Sequence, residues 1–317
     1  MFELRADNAG EYLGYPCSAV ELGGGVSNTV LLIEAPGKRF VLKQSLGKLR
    51  VEQDWFSDRA RIFRESSAMR QLAGVPDILF EDRENFLFAM TAASPDAVPW
   101  KDALLQGQVN PSVASKIGGL LGAMIDRTWN NSAFKLEFGD QTIFDELRLD
   151  PYYRTTANRH PDLAGNFQQF MERSSRRRVS LVHGDWSPKN FLVSEQQVMT
   201  IDFEVVHFGD PSFDAAFMLN HLLLKTFHLP RWRAKYREAA MAFWQALPEI
   251  DWFEAATIEH LGALLLARMD GKSPAEYIRE PELKATIRSF ARELIVEPPH
   301  RVSGVFTRAC EIAAQEQ

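Results

Sequence analysis

Over the first ninety residues the apolar positions fall mostly in short β-type runs separated by turn signals. Residues 20–22 lead into three consecutive glycines, and 29–34 (TVLLIE) are β-branched and apolar. Pro36-Gly37 then marks a turn before 39–44 (RFVLKQ), so the two runs predict a hairpin. Apolar spacing changes to the helical period over 54–73, and 85–90 (NFLFAM) form a third apolar run. Residues 91–99 (TAASPDAVP) read as a connector. Beyond it the pattern is mainly helical. Asn110-Pro111 supplies an N-cap and a first-turn proline, followed by Val113, Ile117, Leu120 and Met124 on one face. Helices are predicted over 213–229, 254–269 and 282–296. Short strands are predicted over 179–183 and 191–193, with a third running to about Ile201. Ser273-Pro274-Ala275-Glu276 fits a capping box.

Composition adds limits rather than chemistry. The chain has 317 residues, 45% hydrophobic and 25% charged, which is a globular balance with material for two domains. A net charge of −6 without a long basic block argues against a nucleic-acid partner. The longest apolar run in a helix candidate, 261–267, is far short of a membrane span, so no membrane partner is expected. Cys17 and Cys310 offer neither metal spacing nor a disulfide framework. With a charged N-terminus lacking a signal-peptide run, these point to a cytoplasmic protein. Oligomeric state has no signature in the sequence.

The candidate chemistry centres on LVHGDWSPKNFLV, residues 181–193. Asp185 is followed five residues later by Asn190, with His183 ahead of them. A carboxylate there can accept or orient the proton of an attacking hydroxyl, and a carboxamide oxygen can ligate Mg²⁺ without adding charge. His183 is expected to hold the loop. The same residues also suit a plain polar loop after a buried strand. Thr200-Ile201-Asp202-Phe203-Glu204 places a second carboxylate at a strand end, seventeen residues after Asp185. Upstream, Gly23, Gly24 and Gly25 precede Ser27 and Asn28, a Gly-x-Gly-x-x-Asn run in which main-chain N–H groups can approach phosphates. Lys43 lies inside a strand, where alternation can point it at solvent. Glu65 falls on the apolar helical face of Ile62, Met69 and Leu72, where an acid needs a partner. A Lys43–Glu65 pair would satisfy it.

In this order and spacing the residues resemble the aminoglycoside phosphotransferase and choline kinase branch of the protein-kinase-like superfamily. HGDWSPKN resembles that branch's catalytic loop, IDFE its metal-binding strand end, and GDPSFDAA (209–216) the segment that follows. The resemblance spans roughly residues 20 to 270. It implies an α+β, two-lobed protein-kinase-like fold, with a small β-rich N-terminal lobe over 1–92 and a larger, mainly helical lobe over 93–317. It also implies ATP in a cleft and Mg²⁺ on its phosphates. Asp185 is then the base or hydroxyl-orienting residue, and Asn190 and Asp202 the metal ligands. Lys43 and Glu65 position phosphate, the glycine run with Ser27 and Asn28 covers it, and residues 88–91, Met90 among them, hold the adenine. Glu204 replaces the glycine of D-F-G, and Gly-Asp-Pro begins only seven residues after Asp202, so no regulated activation loop fits. LKQSLGKLR (42–50) and WFSDRARIFRE (55–65) are similar to methylthioribose kinases, whose catalytic loop differs.

On the acceptor side, Asp214, His221, Lys225 and His228 form a polar stripe along helix 213–229, read as solvated or as facing the acceptor. Arg268 sits on an apolar stripe, to clamp an anion or to pair with Asp270. Trp186 either walls the acceptor or packs inside. The expectation is a Mg-ATP-dependent phosphotransferase acting on a hydroxyl of a small molecule such as a sugar, amino alcohol or aminoglycoside. The alternatives are a silent nucleotide-binding pseudokinase and a metal-dependent hydrolase.

Overall fold

The computed structural model describes residues 2–23, 27–48, 50 and 58–315. The chain divides into two compact units, Met1–Ala97 with Met199–Glu204, and Val98–Val198 with Val205–Gln317.

The first unit is built on an antiparallel sheet of β1 (Ser18–Glu21), β2 (Asn28–Ala35), β3 (Lys38–Ser45), β4 (Ile78–Asp82) and β5 (Leu87–Thr91), in the order β1-β2-β3-β5-β4. The hairpin expected from the Pro-Gly turn is present, with Ala35 opposite Lys38 and Asn28 opposite Ser45. Leu31 and Ile33 of β2, Phe40 and Leu42 of β3, and Leu87 and Ala89 of β5 point into one core with Leu4 and Ala9. The other face of β3 meets the Arg61–Met69 helix, so all of 40–45 is buried and Lys43 does not reach solvent. Among the described residues the helix expected over 54–73 spans Arg61–Met69, and residues 51–57 lie outside them. β4 was not legible in the sequence. Its Leu79 and Phe80 are exposed, and its register shifts between Ile78 and Phe80, which breaks the alternation. Segment 199–204 is fixed to this unit by Thr200 N–H, which donates to the Gly74 carbonyl at 2.7 Å.

The second unit is mainly helical. β6 (Val98–Pro99) pairs antiparallel with β8 (Phe191–Val193), and β7 (Ser180–Val182) pairs with β10 (His207–Gly209). β9 (Val198–Thr200) carries the chain from this unit into segment 199–204. The Asn110 carboxamide caps the Pro111–Thr128 helix, accepting from Ser112 N–H at 2.9 Å. At the centre is Ser212–His228, in which every residue but His221 and His228 is buried. It packs against the Arg233–Trp244 and Phe253–Asp270 helices, and Phe253–Asp270 in turn against Pro281–Val296. The capping box expected at Ser273 starts no helix. Arg268 engages the Ser273 hydroxyl at 3.0 Å and its carbonyl at 2.6 Å, and the next helix begins at Pro281. Among the described residues no helix is long and apolar enough to cross a membrane.

Two adjacent glycines test the helix packing. A Cβ on Gly118 would stand 2.3 Å from the Phe243 carbonyl oxygen, whereas one on Gly119 meets nothing within 4 Å. Gly118→Ala should therefore destabilise by about 1–3 kcal/mol through overpacking. Gly119→Ala should stabilise by about 0.5–1 kcal/mol through helix propensity. Thermal melts showing the same sign for both variants would contradict this packing.

Candidate active site

In the first unit the functional side chains gather round one ammonium. Lys43 Nζ donates to Glu65 Oε1 at 2.7 Å and to Asp202 Oδ1 at 2.8 Å. Lys43 and Glu65 are 4% and 1% exposed, so this pair is dry. Burial alone would push the Lys43 ammonium down, but Asp202, Glu65 and Glu204 outweigh it and hold it above the ordinary lysine range. Glu65 is pushed up by burial despite Lys43. Its Oε1 also accepts Phe203 N–H at 3.1 Å, so the helix carboxylate orients the backbone beside Asp202. Asp202 itself is a non-glycine residue at φ +70. That left-handed conformation costs on the order of 1–3 kcal/mol and persists only where surroundings fix it. Glu204 accepts from Ser27 Oγ at 2.6 Å and from Asn28 Nδ2 at 3.1 Å, and Arg61 donates to the Ser27 carbonyl at 2.7 Å. Glu65, Asp202 and Glu204 thus outnumber Lys43 and Arg61, and the group carries excess negative charge.

In the second unit the loop after β7 holds Asp185. Gly184 stands at φ +79, with the Val205 side chain 2.8 Å from where a Cβ would be. The buried Asp214 carboxylate accepts His183 N–H at 2.6 Å and Gly184 N–H at 2.9 Å. His183 Nδ1 in turn accepts Asp185 N–H at 3.1 Å, and Asn190 Nδ2 donates to the Asp185 carbonyl at 2.9 Å. The Asp185 carboxylate lies 2.9 Å from Lys189 Nζ and 3.3 Å from Arg148 Nη2. Burial would raise its pKa, but Lys189 and Arg148 hold it well below the usual carboxylate range. Burial also pushes the Asp214 carboxyl up to about 7, against its two backbone donors.

The model of the phosphotransferase enzyme family matches residues 18–253. The chain belongs to that family. A methylthioribose kinase of Escherichia coli O45:K1 is 26% identical over 254 residues, covering 69% of this chain and 60% of that protein. The chain spans 56% to 62% of the length of the curated relatives it matches. Among solved structures, a choline/ethanolamine kinase family protein from Mesorhizobium loti has TM-score 0.55 at 12% identity, covering 98% of this chain and 97% of that one. Amicoumacin kinase hAmiN, in complex with AMP-PNP, Ca²⁺ and Ami, has TM-score 0.57 at 14% identity, covering 89% of each chain. These structural likenesses carry the fold: an α+β, two-lobed kinase-like architecture.

Lys43, Glu65 and Asp202 are brought together, as are Asp185 and Asn190. Ser27 and Asn28 meet Glu204, a contact that the motif alone did not foretell. Gly23 is described, whereas Gly24 and Gly25 lie outside the described residues. Met90 is buried on β5, opposite Val41 of β3 and Ile78 of β4. Trp186 is 2% exposed and lies edge to face against His183 and Phe191, so it packs the loop from inside. The stripe on Ser212–His228 is not solvated: Asp214 and Lys225 are wholly buried, and His221 and His228 partly so. Arg268 does not pair with Asp270. That carboxylate is taken by Arg288 at 2.6 Å and His160 at 2.9 Å. Sequence reading missed Arg148 and Lys189. Lys189 stood in the quoted loop, four residues after Asp185. Arg148 comes from the π-helical segment Asp145–Arg154, with no local signal.

The depressed carboxyl of Asp185 has a pH consequence. Its stabilising ion pairs are fully present above the unfolded pKa of about 4 and are lost as pH falls towards the lower folded value. Asp185→Asn should therefore melt lower than wild type near neutrality, and the gap should narrow below about pH 5. A gap that stays constant on acidification would refute these ion pairs.

Proposed function

We propose that the protein is a Mg-ATP-dependent phosphotransferase that phosphorylates a hydroxyl of a small molecule. The observation that carries this reading is the buried Lys43 ammonium shared between Glu65 and the backbone-strained Asp202. An ammonium so fixed suits the phosphates of a nucleotide. The family resemblance makes Asp202 and Asn190 the ligands of a divalent cation in this reading. The carboxylate group is in anionic excess, and the Asn190 nitrogen is engaged with Asp185, which leaves its carbonyl oxygen to ligate. Among the described residues no three His, Cys, Asp or Glu side chains form a metal site by themselves. A Mg²⁺ site typically uses one or two carboxylates plus phosphate oxygens. When bound, Mg²⁺ would neutralise charge on the phosphates.

Asp185 orients the acceptor hydroxyl in this reading. Held ionised by Lys189 and Arg148, it is a weak base, so its role is to accept the hydroxyl's hydrogen bond and take the proton late. That suits a loose phosphoryl-transfer transition state, which needs little prior deprotonation. Arg148 and Lys189 hold the carboxylate in place. Lys43, kept in one rotamer by two carboxylates, positions phosphate by geometry and charge. His183 is wholly buried and tied to Asp185 N–H, which disfavours the hydrolase alternative, where it would bind metal.

The test is ADP release from Mg-ATP across a panel of small hydroxyl compounds. Asp185→Asn should lower turnover about 10²- to 10⁴-fold with nucleotide binding retained. Lys43→Met should weaken nucleotide binding as well. Mg-dependent nucleotide binding with no turnover on a broad panel would favour the pseudokinase, and absence of nucleotide binding would sink the kinase reading.

A further inference from the structure

The helix Ser212–His228 has one polar face. Asp214 sits under the catalytic loop, His221 two turns on, and Lys225 one turn further. Lys225 is wholly buried, yet among the described residues no carboxylate pairs with it. Its ammonium donates only a 3.3 Å bond to the His221 carbonyl and lies 5.4 Å from the Tyr277 ring. Burial, then Lys101 and Arg268, push its pKa down to about 7. Arg268 spends one guanidinium nitrogen on Ser273 and the Tyr152 hydroxyl, while its Nε is buried without a hydrogen-bond partner. The Tyr277 hydroxyl is likewise buried without one. A dry ammonium, a guanidinium N–H and a phenol O–H, all donors and none answered by an acid, are costly for the fold alone. Such an arrangement is what an anion would satisfy.

The cluster also lies on the side of Asp185. Arg148, which pairs with Asp185, stands 5.8 Å from the Phe217 ring, and that ring is 5.4 Å from His221. The Lys225 ammonium reaches back one turn to the level of His221. At 1.5 Å per residue that is about 10 Å along the helix from Asp214. His221 is only partly buried, so the cluster meets solvent there.

We propose that Lys225, Arg268 and the Tyr277 hydroxyl form a subsite for an anionic group, phosphate or carboxylate, carried by the acceptor. The hydroxyl to be phosphorylated would sit at Asp185, on the order of 10 Å away along the helix, a span that a sugar phosphate or a six-carbon sugar acid approaches. The inference rests on the phosphotransferase reading above and narrows its acceptor class. A cationic amino alcohol or aminoglycoside would meet Lys101, Lys225 and Arg268 with like charge.

The experiment compares matched acceptors: ribose 5-phosphate against ribose, gluconate against glucitol, and choline as the cation. Each is measured for ADP release and, by calorimetry, for binding, in wild type, Lys225→Met and Arg268→Gln. The expected result is a preference for an anionic member, with the phosphate and carboxylate arms separating the two sources. Both variants should raise KM or Kd for that member about 10- to 100-fold, the size of a lost charged hydrogen bond, and leave kcat nearly unchanged. Lys225→Met should also melt higher than wild type, because a buried uncompensated charge has been removed. A purely structural lysine would give the opposite melt. Turnover of neutral or cationic acceptors alone, untouched by either variant, would overturn the subsite and leave the kinase reading standing. If no acceptor turns over, anion binding that Lys225→Met abolishes still supports the subsite, and no anion binding overturns it. Inorganic phosphate binding as tightly as either organic anion would overturn the acceptor assignment. Loss of Mg-ATP binding would count against the kinase reading separately.

Discussion

The arrangement of the first unit depends on one shared proton donor. Lys43 comes from the middle of a sheet buried on both faces, and its ammonium is stable there only because two carboxylates meet it. Each carboxylate arrives from a different element, Glu65 from the Arg61–Met69 helix and Asp202 from a segment far along the chain. The ion group therefore fixes the helix to the sheet and fixes Asp202 in a left-handed conformation. Removing either acid would leave the buried ammonium with a single carboxylate partner, a destabilising change. The Phe203 N–H bond to Glu65 extends the same control to the backbone.

The second unit uses the reverse device, a buried carboxylate answered by backbone donors. Asp214 takes the N–H groups of His183 and Gly184 and so sets the path of the loop that presents Asp185. Because Asp214 opens the central helix, that helix acts as a ruler from the loop. What lies two and three turns on, at His221 and Lys225, is held at fixed distance from that loop. Ser212–His228 is almost wholly enclosed by its neighbours, which keeps that spacing rigid.

The parts legible in the sequence were those whose signal is local. The Pro-Gly hairpin, the Asn110-Pro111 helix start and the Asp185/Asn190 spacing each rest on neighbouring residues. Glu65 was legible because an acid on an apolar helical face announces a partner, and Lys43 was the strand residue able to supply it. The rest depended on residues distant in sequence. Arg148 reaches Asp185 from a π-helical stretch whose contacts no period reveals. The polar stripe on Ser212–His228 suited a solvated face as well as a buried one, because helical periodicity does not say how many helices cover a face. Ser273-Pro274-Ala275-Glu276 satisfied the capping pattern, yet Arg268 captured the serine first. β4 was hidden by its exposure and its register shift.

The electrostatics of the two units differ in sense, and that difference bears on the chemistry. The first unit collects carboxylates in excess over its cations, which suits a metal-bound polyphosphate. The second surrounds the Asp185 carboxylate with Lys189 and Arg148, which keeps it ionised. An ionised, firmly held carboxylate is poorly suited to strip a proton from an alcohol in the ground state. It is well suited to fix the direction of the hydroxyl and to stabilise positive charge as the proton leaves late. Catalysis by such a site would come from orientation and preset charge, with little proton transfer before the phosphoryl group moves. Specificity must then arise where the acceptor is gripped away from its hydroxyl. Along the central helix, Lys225 is wholly buried and, among the described residues, has no carboxylate partner.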